Sequence, residues 1–416
     1  MTSRERVQLA LEHRSPDRTP RDFGTTGITG IAAPLVYKLR RELGLPETPV
    51  KIFCPYQMLG AVDEDLRKAL GADTVCTWPA GNLFGFDNTP VKPFTMNDGT
   101  PVLVPESFNT EYESDGRLYQ YAGGDRNYPP SGVMPKDGFY FDATVRAKPL
   151  DDDEEPNPKD NLEEFTLLDE KTLRKIEIET RALYESSDCA IVSGGPGGTG
   201  LGDIAFVPAT MLNDPKGVRD LEDWYISPLI RPDFIKEVFD RQTDIAVKNL
   251  KMFYEAVGDR ISVIVLCGAD FGSQQSLMLS PDVFREMYLP YYKKMTDWIH
   301  VNTKWKIFKH CCGAIEPLLP LLIEAGFDII NPVQVSAAGM DPQVLKNKYG
   351  DRLVFWGGGV NTQSTLPHGT TNEVKEEVKR HVSIFNNSGG FVFNTIHNAQ
   401  PNVPVENFLA MIDALN

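Results

Sequence analysis

Two short stretches of this chain place soft metal ligands directly after apolar runs that are typical of buried strands. Lys309-His310-Cys311-Cys312-Gly313 follows one run, and Asn394-Thr395-Ile396-His397-Asn398 follows the other. Because alternate side chains of a strand share a face, His310 and Cys312 point the same way and Cys311 points away. Two nitrogens and one sulfur, from His310, Cys312 and His397, would leave a tetrahedral Zn²⁺ with one open position, as catalytic zinc requires. The sequence therefore predicts a catalytic zinc site.

A regular alternation of strands and helices must position these ligands. Eight β-branched or aromatic runs lie near residues 21–23, 73–77, 189–193, 263–267, 306–309, 327–331, 353–356 and 391–394. Helical periodicity is clearest at 171–187, 232–257, 282–303, 315–325, 372–386 and 404–415. Eight alternations predict an α/β fold, a single TIM-like (β/α)8 barrel, with a doubly wound sheet as the alternative.

The alternation breaks at residues 80–165, which are rich in Gly, Pro, Asp, Asn and Tyr. Short alternating runs there predict a hairpin-rich insertion after the second strand, within one barrel domain that spans residues 1–416. The acidic run Asp151-Asp152-Asp153-Glu154-Glu155 is most simply a solvated surface loop.

The charge balance and the cysteines exclude several classes of protein. Lys and Arg number 42 against 58 Asp and Glu, a net charge of −16, so nucleic acid is not an expected partner. The six cysteines lack the spacing of a disulfide scaffold. With neither a signal-peptide pattern nor an apolar run of membrane-spanning length, we expect a cytoplasmic protein without a membrane partner.

In a barrel, polar residues at the carboxyl ends of strands face the active site, and we assign Asp22, Asp73, Asp270, Asn331 and Asn394 to such ends. Asp270 and Gln274 are predicted catalytic residues that orient a ligand or act in acid–base chemistry. Each also has a structural interpretation, as part of a loop that enters the next helix.

The Gly-rich stretch 194–200 contains GxGxxG, but Pro196 interrupts it and no helix pattern follows, so it does not predict a dinucleotide site.

These motifs together resemble the uroporphyrinogen decarboxylase superfamily over nearly the whole chain. The resemblance is carried by residues 4–7, 16–20, 272–274, 280–281, 358–363, 368–370 and 404–407. Members of that superfamily are single distorted (β/α)8 barrels, which agrees with the strand count. The decarboxylases carry Arg-Gln-Ala-Gly-Arg after the first strand, to grip substrate carboxylates. This chain has Arg21-Asp22-Phe23-Gly24-Thr25 at that place, without the arginine pair.

The resemblance is greater to the zinc-dependent, corrinoid-linked methyltransferases, which carry His-x-Cys-Gly and a later Cys as zinc ligands. His310-Cys311-Cys312-Gly313 matches the first motif, and His397 falls where the later Cys is expected. Imidazole in place of thiolate would make the zinc a stronger Lewis acid, suited to polarising an ether oxygen.

The resulting hypothesis is a methyltransferase of O-demethylase type in one-carbon metabolism. Zinc on His310, Cys312 and His397 would bind a methoxy, thiol or amine substrate, and the methyl group would pass to or from the corrinoid of a partner protein. The predicted substrate-binding residues are Asp22, Asp73, Asn331 and Asn394. A decarboxylase-like lyase acting on a tetrapyrrole and a metal-free binding protein are the alternatives, and a homodimer stays open.

Overall fold

A computed structural model describes residues 1–77, 81–150 and 155–416, so the acidic run lies outside the described residues except for Glu155. The helices are α1 Ser3–Leu11, α2 Ala33–Glu42, α3 Glu64–Leu70, α4 Glu170–Ser186, α5 Leu221–Ile230, α6 Pro232–Val257, α7 Pro281–Met287, α8 Leu289–Asn302, α9 Leu319–Glu324, α10 Pro342–Tyr349, α11 Thr365–His368, α12 Thr371–Phe385 and α13 Val405–Asp413. The strands are β1 Val50–Cys54, β2 Leu59–Gly60, β3 Thr74–Thr77, β4 Val91–Thr95, β5 Pro101–Pro105, β6 Leu118–Gln120, β7 Gly132–Met134, β8 Asp142–Ala143, β9 Ala190–Gly194, β10 Val263–Cys267, β11 Lys306–His310, β12 Ile329–Asn331, β13 Val354–Trp356 and β14 Phe391–Val392.

Seven of the eight predicted barrel strands form one parallel sheet, in the order β14, β13, β12, β11, β10, β9, β3. The predicted first strand is reduced to a parallel bridge between Arg21 and Phe393. The N–H of Asp22 donates to the carbonyl of Phe393 (2.9 Å), and the N–H of Asp73 donates to the carbonyl of Arg21 (2.8 Å). Since residues 20–22 thereby bond to both edge strands, they close the sheet, and the predicted TIM-like barrel is confirmed.

Two apolar clusters occupy the two faces of this sheet. The larger cluster lies between the strands and the surrounding helices. The smaller one fills the barrel interior with inward side chains such as Val192, Val265 and Phe308, and it includes Val7 and Leu11 of α1. α1 is tied to chain segments that precede strands, since the N–H of Arg4 donates to the carbonyl of Asp188 (2.6 Å). α1 therefore closes the amino-terminal end of the barrel and leaves the carboxyl end for a site.

The predicted helices are found, with one clear difference over residues 282–303. That segment forms two helices, α7 and α8, with the break at Tyr288. Pro290 explains the break because it has no N–H to donate and its ring clashes with the carbonyl of Glu286. Ser280 caps α7, since its Oγ accepts a hydrogen bond from the N–H of Val283 (3.2 Å). Within the described ranges, no helix has the length and apolar character to cross a membrane.

The insertion consists of antiparallel hairpins, as predicted. β4 pairs with β5, and β6, β7 and β8 form a separate three-stranded sheet. The sequence did not predict β1 and β2, which join the β4–β5 sheet through a parallel pairing of β1 with β5. The assignment of residues 1–416 to one domain stays a prediction.

Candidate metal centre

Three predicted ligands meet at the carboxyl end of the barrel. His310 ends β11, Cys312 follows it by two residues, and His397 comes five residues after β14. One ligand atom from each lies within 4.8 Å of the others. His310 Nε2 and Cys312 Sγ are 3.4 Å apart, close to the edge of about 3.5 Å that zinc–nitrogen and zinc–sulfur bonds subtend in a tetrahedron. The spacing of these two donors therefore already suits zinc. A nitrogen of His397, within 4.8 Å of both, needs only a small movement to become the third ligand.

The ring of His310 is fixed in the tautomer that a metal needs. Asn331 Nδ2 donates to the carbonyl of Trp356 (2.8 Å), which can only accept, so Asn331 Oδ1 must face His310. Oδ1 lies 2.6 Å from His310 Nδ1 and accepts its proton. The lone pair of His310 is consequently on Nε2, the atom that faces Cys312.

The ionisable groups of the centre lie in a poorly solvated environment. Burial, followed by the neighbouring His310, lowers the pKa of His397 to about 4, and Asp270 opposes the shift. His397 is therefore a neutral ring at neutral pH. Burial, followed by the negative charge of Asp270, raises the pKa of the Cys312 thiol well above its usual value. A cation that binds to Cys312 must therefore displace its proton.

Backbone packing holds Cys312 in place. Gly313 has a φ of +93°, and a side chain there would place Cβ 2.2 Å from the carbonyl oxygen of Gly272. Glycine therefore lets the loops after β10 and β11 touch. The N–H of Cys312 donates to Asp270 Oδ1 (2.7 Å), and the N–H of Gly313 donates to Gln334 Oε1 (2.7 Å). Both hydrogen bonds aim the thiol by fixing the peptides around it.

His397 is linked to two further loops through Asn398. The N–H of Asn398 donates to His397 Nδ1 (2.8 Å), which puts the proton of the neutral ring on Nε2. The side chain of Asn398 accepts from the N–H of Gly30 (2.6 Å) and donates to Gly27 O (2.9 Å) and Gln57 Oε1 (2.7 Å). Coordination by the neutral His397 ring requires that the bond from the Asn398 N–H be given up, because one nitrogen binds the metal and the other carries the proton.

Asp22 and Asn394 lie in the barrel wall, where they contact protein groups. Asp22 is fully buried, and its carboxylate accepts from Trp356 Nε1 (2.8 Å) and Thr74 Oγ1 (3.2 Å). Burial raises the pKa of Asp22, and these hydrogen bonds oppose the rise. Asn394 Nδ2 donates to the carbonyl of Asp22. Their substrate-binding role stays a prediction, and their visible role is to hold Trp356 and the closing segment.

The placement predicted for Asp73 is wrong. Asp73 precedes β3, so it lies at the amino-terminal end of the barrel, opposite the metal centre. Its buried carboxylate pairs with Arg6 Nη1 (2.7 Å) and Arg18 Nη1 (2.8 Å) and accepts from Ser3 Oγ (2.7 Å). The sequence misled us because an acidic residue beside a strand looks the same before and after the strand.

Gln274 lies exposed on the rim of the barrel mouth. Its Nε2 donates to Gln363 Oε1 (2.9 Å), and its carbonyl accepts from the N–H of Ala338 (3.0 Å). Its catalytic role stays a prediction, as does that of Asp270, which contacts the Cys312 peptide.

The sequence analysis missed two residues that contact the centre, Gln334 and Asn398. For Asn398, the one available signal was its position next to the predicted ligand His397.

Removal of the Asn331 hydrogen bond should weaken metal binding. Leucine at position 331 keeps the volume but removes the acceptor for His310 Nδ1. The imidazole ring can then rotate, or carry its proton on Nε2 instead of Nδ1. We expect the zinc affinity of Asn331→Leu to fall by about 10–100-fold, as is usual when a residue that orients a metal-bound histidine is lost. Competition with a chromophoric chelator measures this. Asn347→Leu, on the exposed side of α10, is the control, and equal affinities for the two variants would contradict the role of Asn331.

Comparisons with known proteins agree on the fold and the family. The model of the uroporphyrinogen decarboxylase (URO-D) family matches residues 205–416, which is 212 of the 416 residues and includes all three candidate ligands. A protein named uroporphyrinogen decarboxylase from Trichlorobacter lovleyi is 24% identical over 217 residues, which cover 52% of this chain and 59% of that protein.

A methyltransferase from Methanosarcina mazei has a similar structure. The TM-score is 0.56 at 18% sequence identity, and the likeness covers 100% of this chain and 98% of that one. At that identity the likeness concerns the fold alone.

Proposed function

The chain belongs to the uroporphyrinogen decarboxylase family, and from that premise we propose that it is a zinc-dependent methyltransferase of O-demethylase type. In this proposal a methyl group passes between the heteroatom of a small methoxy, thiol or amine substrate and a corrinoid that a partner protein carries. His310, Cys312 and His397 would hold the zinc. The protein would act in one-carbon metabolism, and a cytoplasmic location is part of the proposal.

The observation that carries the proposal is the convergence of two imidazoles and one thiol at the carboxyl end of the barrel. Four ligands complete a structural zinc site, whereas three protein ligands leave a position for substrate. The donor set is softer than the carboxylates that magnesium or calcium prefers. A methyltransferase from Methanosarcina mazei has the same fold, so the fold is compatible with the proposed reaction class.

Each residue near the centre has a definable task in this proposal. When bound, the zinc supplies a Lewis acid that stabilises negative charge on the substrate heteroatom. Asn331 presents His310 Nε2 to it, and Asp270 holds the peptide of Cys312. Gln274 and Gln363 lie exposed at the rim, where a substrate or the partner's corrinoid could meet their amide groups. The chain orients the reactants, and the corrinoid carries the methyl group.

The family name also supports a second candidate, a decarboxylase-like lyase acting on a tetrapyrrole. The side chain of Arg21 argues against it. Arg21 Nη2 donates to the carbonyl of Leu415 (2.6 Å) and to Asn416 Oδ1 (2.9 Å), so it is used at the chain's carboxyl end. An anionic tetrapyrrole would need cations at the mouth instead.

The zinc content of the wild-type protein tests the proposal. We expect about one zinc per chain by elemental analysis of protein purified without chelator or metal-affinity resin, as three protein ligands predict. The loaded protein should then transfer methyl from a methoxy compound to reduced cobalamin, or from methylcobalamin to a thiol. Decarboxylation of uroporphyrinogen by metal-free protein would favour the second candidate, and a chain that takes up no zinc would overturn the first.

A further inference from the structure

The segment that carries the metal ligands has a second face, and that face also has specific contacts. Lys309 and Cys311 point away from the metal centre, as strand alternation requires. Lys309 Nζ donates to the carbonyl of Ala269 (2.7 Å), and Cys311 Sγ accepts from the N–H of Phe271 (3.3 Å). Asp270, between these two anchored residues, contacts the peptide of Cys312. The two faces of one strand end therefore act on the same neighbouring loop.

Lys309 is an unusual residue for this position because it is completely buried. Its ammonium lies 5.1 Å from the ring centroid of Phe271 and 5.6 Å from that of Tyr292. Aromatic faces attract a desolvated cation, and a buried charge without such partners would be very costly. A leucine or methionine would fill this apolar space at less cost, so the charge itself needs an explanation.

Two other elements grip the same loop. Asp203, in the turns after β9, accepts from the N–H of Gly268 through Oδ2 (2.8 Å). Tyr225 of α5 donates from its hydroxyl to the carbonyl of Asp270 (2.8 Å). Burial raises the pKa of Asp203, and the hydrogen bond from the N–H of Ala205 and the positive charge of Lys309 oppose that rise. Residues 268–271 are thus each held by a group from elsewhere in the chain.

We propose that Lys309 is a positioning residue for the metal centre: with Asp203 and Tyr225 it fixes the 268–271 loop, so that the Asp270 carboxylate stays on the Cys312 peptide. The cation matters because a charged donor makes a stronger hydrogen bond to the Ala269 carbonyl than a neutral donor would. As far as it concerns metal binding and turnover, this inference rests on the proposed function. The hydrogen-bond geometry on which it stands does not require that function.

Methionine at position 309 tests the inference, since it keeps the length and suits an aromatic environment but carries neither charge nor donor. In metal-free protein we expect faster amide hydrogen exchange of residues 268–271 and 312 in Lys309→Met, with the other barrel strands unchanged. In the zinc-loaded protein, we expect a loss of about 10–100-fold in zinc affinity and in kcat, with KM little changed. Lys309→Arg should restore part of both, because a guanidinium can also donate to Ala269 and lie against the rings.

Lys306→Met is the matched control, because Lys306 starts the same strand and its ammonium contacts only Asp328 among the described ion pairs (3.3 Å). Wild-type exchange at residues 268–271 and 312 in a folded Lys309→Met protein would overturn the inference, as would uniformly faster exchange in all strands. The exchange result is independent of metal, so failure of the proposed function leaves this test intact.

Discussion

Serine in place of Cys312 is expected to abolish zinc binding and methyl transfer while the protein stays folded. The thiolate supplies the one sulfur of the ligand set, and its Sγ is 3.4 Å from His310 Nε2. A serine hydroxyl is a poor zinc ligand at neutral pH. We expect the zinc content to fall from one per chain to near zero and turnover to fall by more than about 100-fold, beyond the loss typical of supporting residues. Elemental analysis and a thermal melt measure both parts, and His310→Ala should behave in the same way.

Two controls and a register test sharpen this expectation. His368→Ala changes an exposed histidine, and Cys189→Ser changes a cysteine at the other end of the barrel that contacts Arg67. Both variants should keep their zinc. Cys311→Ser should keep zinc as well, because Cys311 Sγ faces the Phe271 amide instead of the centre. Loss of zinc from Cys311→Ser and its retention in Cys312→Ser would show that the ligand assignment is shifted by one residue.

Alanine in place of Asp73 should cause the largest loss of stability among the residues considered. Its carboxylate is fully buried and accepts from Arg6, Arg18, Ser3 and the N–H of Arg21. Removal of one partner from a buried ion pair leaves the other charge uncompensated. We expect the free energy of unfolding to fall by about 3 kcal/mol, at the low end of the range for such pairs because Arg18 is partly exposed. Urea denaturation measures this.

Asp17 offers a matched comparison because it pairs with the same Arg6 (2.6 Å) from an exposed position. Asp17→Ala should cost less than about 1 kcal/mol, as exposed pairs do. The reverse order of the two losses would contradict the network described. An Asp73→Ala protein with unchanged stability and a raised KM would instead support the substrate contact that the sequence suggested.

The common orientation of His310 and Cys312 could be predicted because strand alternation is a local property. His310 and Cys312 share a face whatever the rest of the chain does, and the same rule correctly put Cys311 on the other side. The barrel itself followed from counting alternating elements. The first strand was harder, since a bridge at Arg21 is enough to close the sheet once both edge strands are present.

Residues that act through long-range contacts could not be predicted in this way. Asp203, Tyr225 and Gln334 are brought to the centre by loops and a helix, and no spacing along the chain announces them. The predicted placement of Asp73 was wrong for a related reason. Whether a carboxylate lies before or after a strand depends on where the strand begins, and a shift of one residue in that boundary changes the answer. Asn331 was singled out, but its task, which is to fix the tautomer of His310, depends on the carbonyl of Trp356.

Because α1 closes the amino-terminal end of the barrel, every molecule that reaches the metal centre must enter and leave through the carboxyl end. In the proposed reaction a small substrate and the corrinoid of a partner protein both need that opening, and a partner docked there would cover it. The small molecule must therefore bind first and its demethylated product must leave last, after the partner has departed. Steady-state kinetics should show a compulsory order of addition, with the product competing against the small substrate and not against the corrinoid protein.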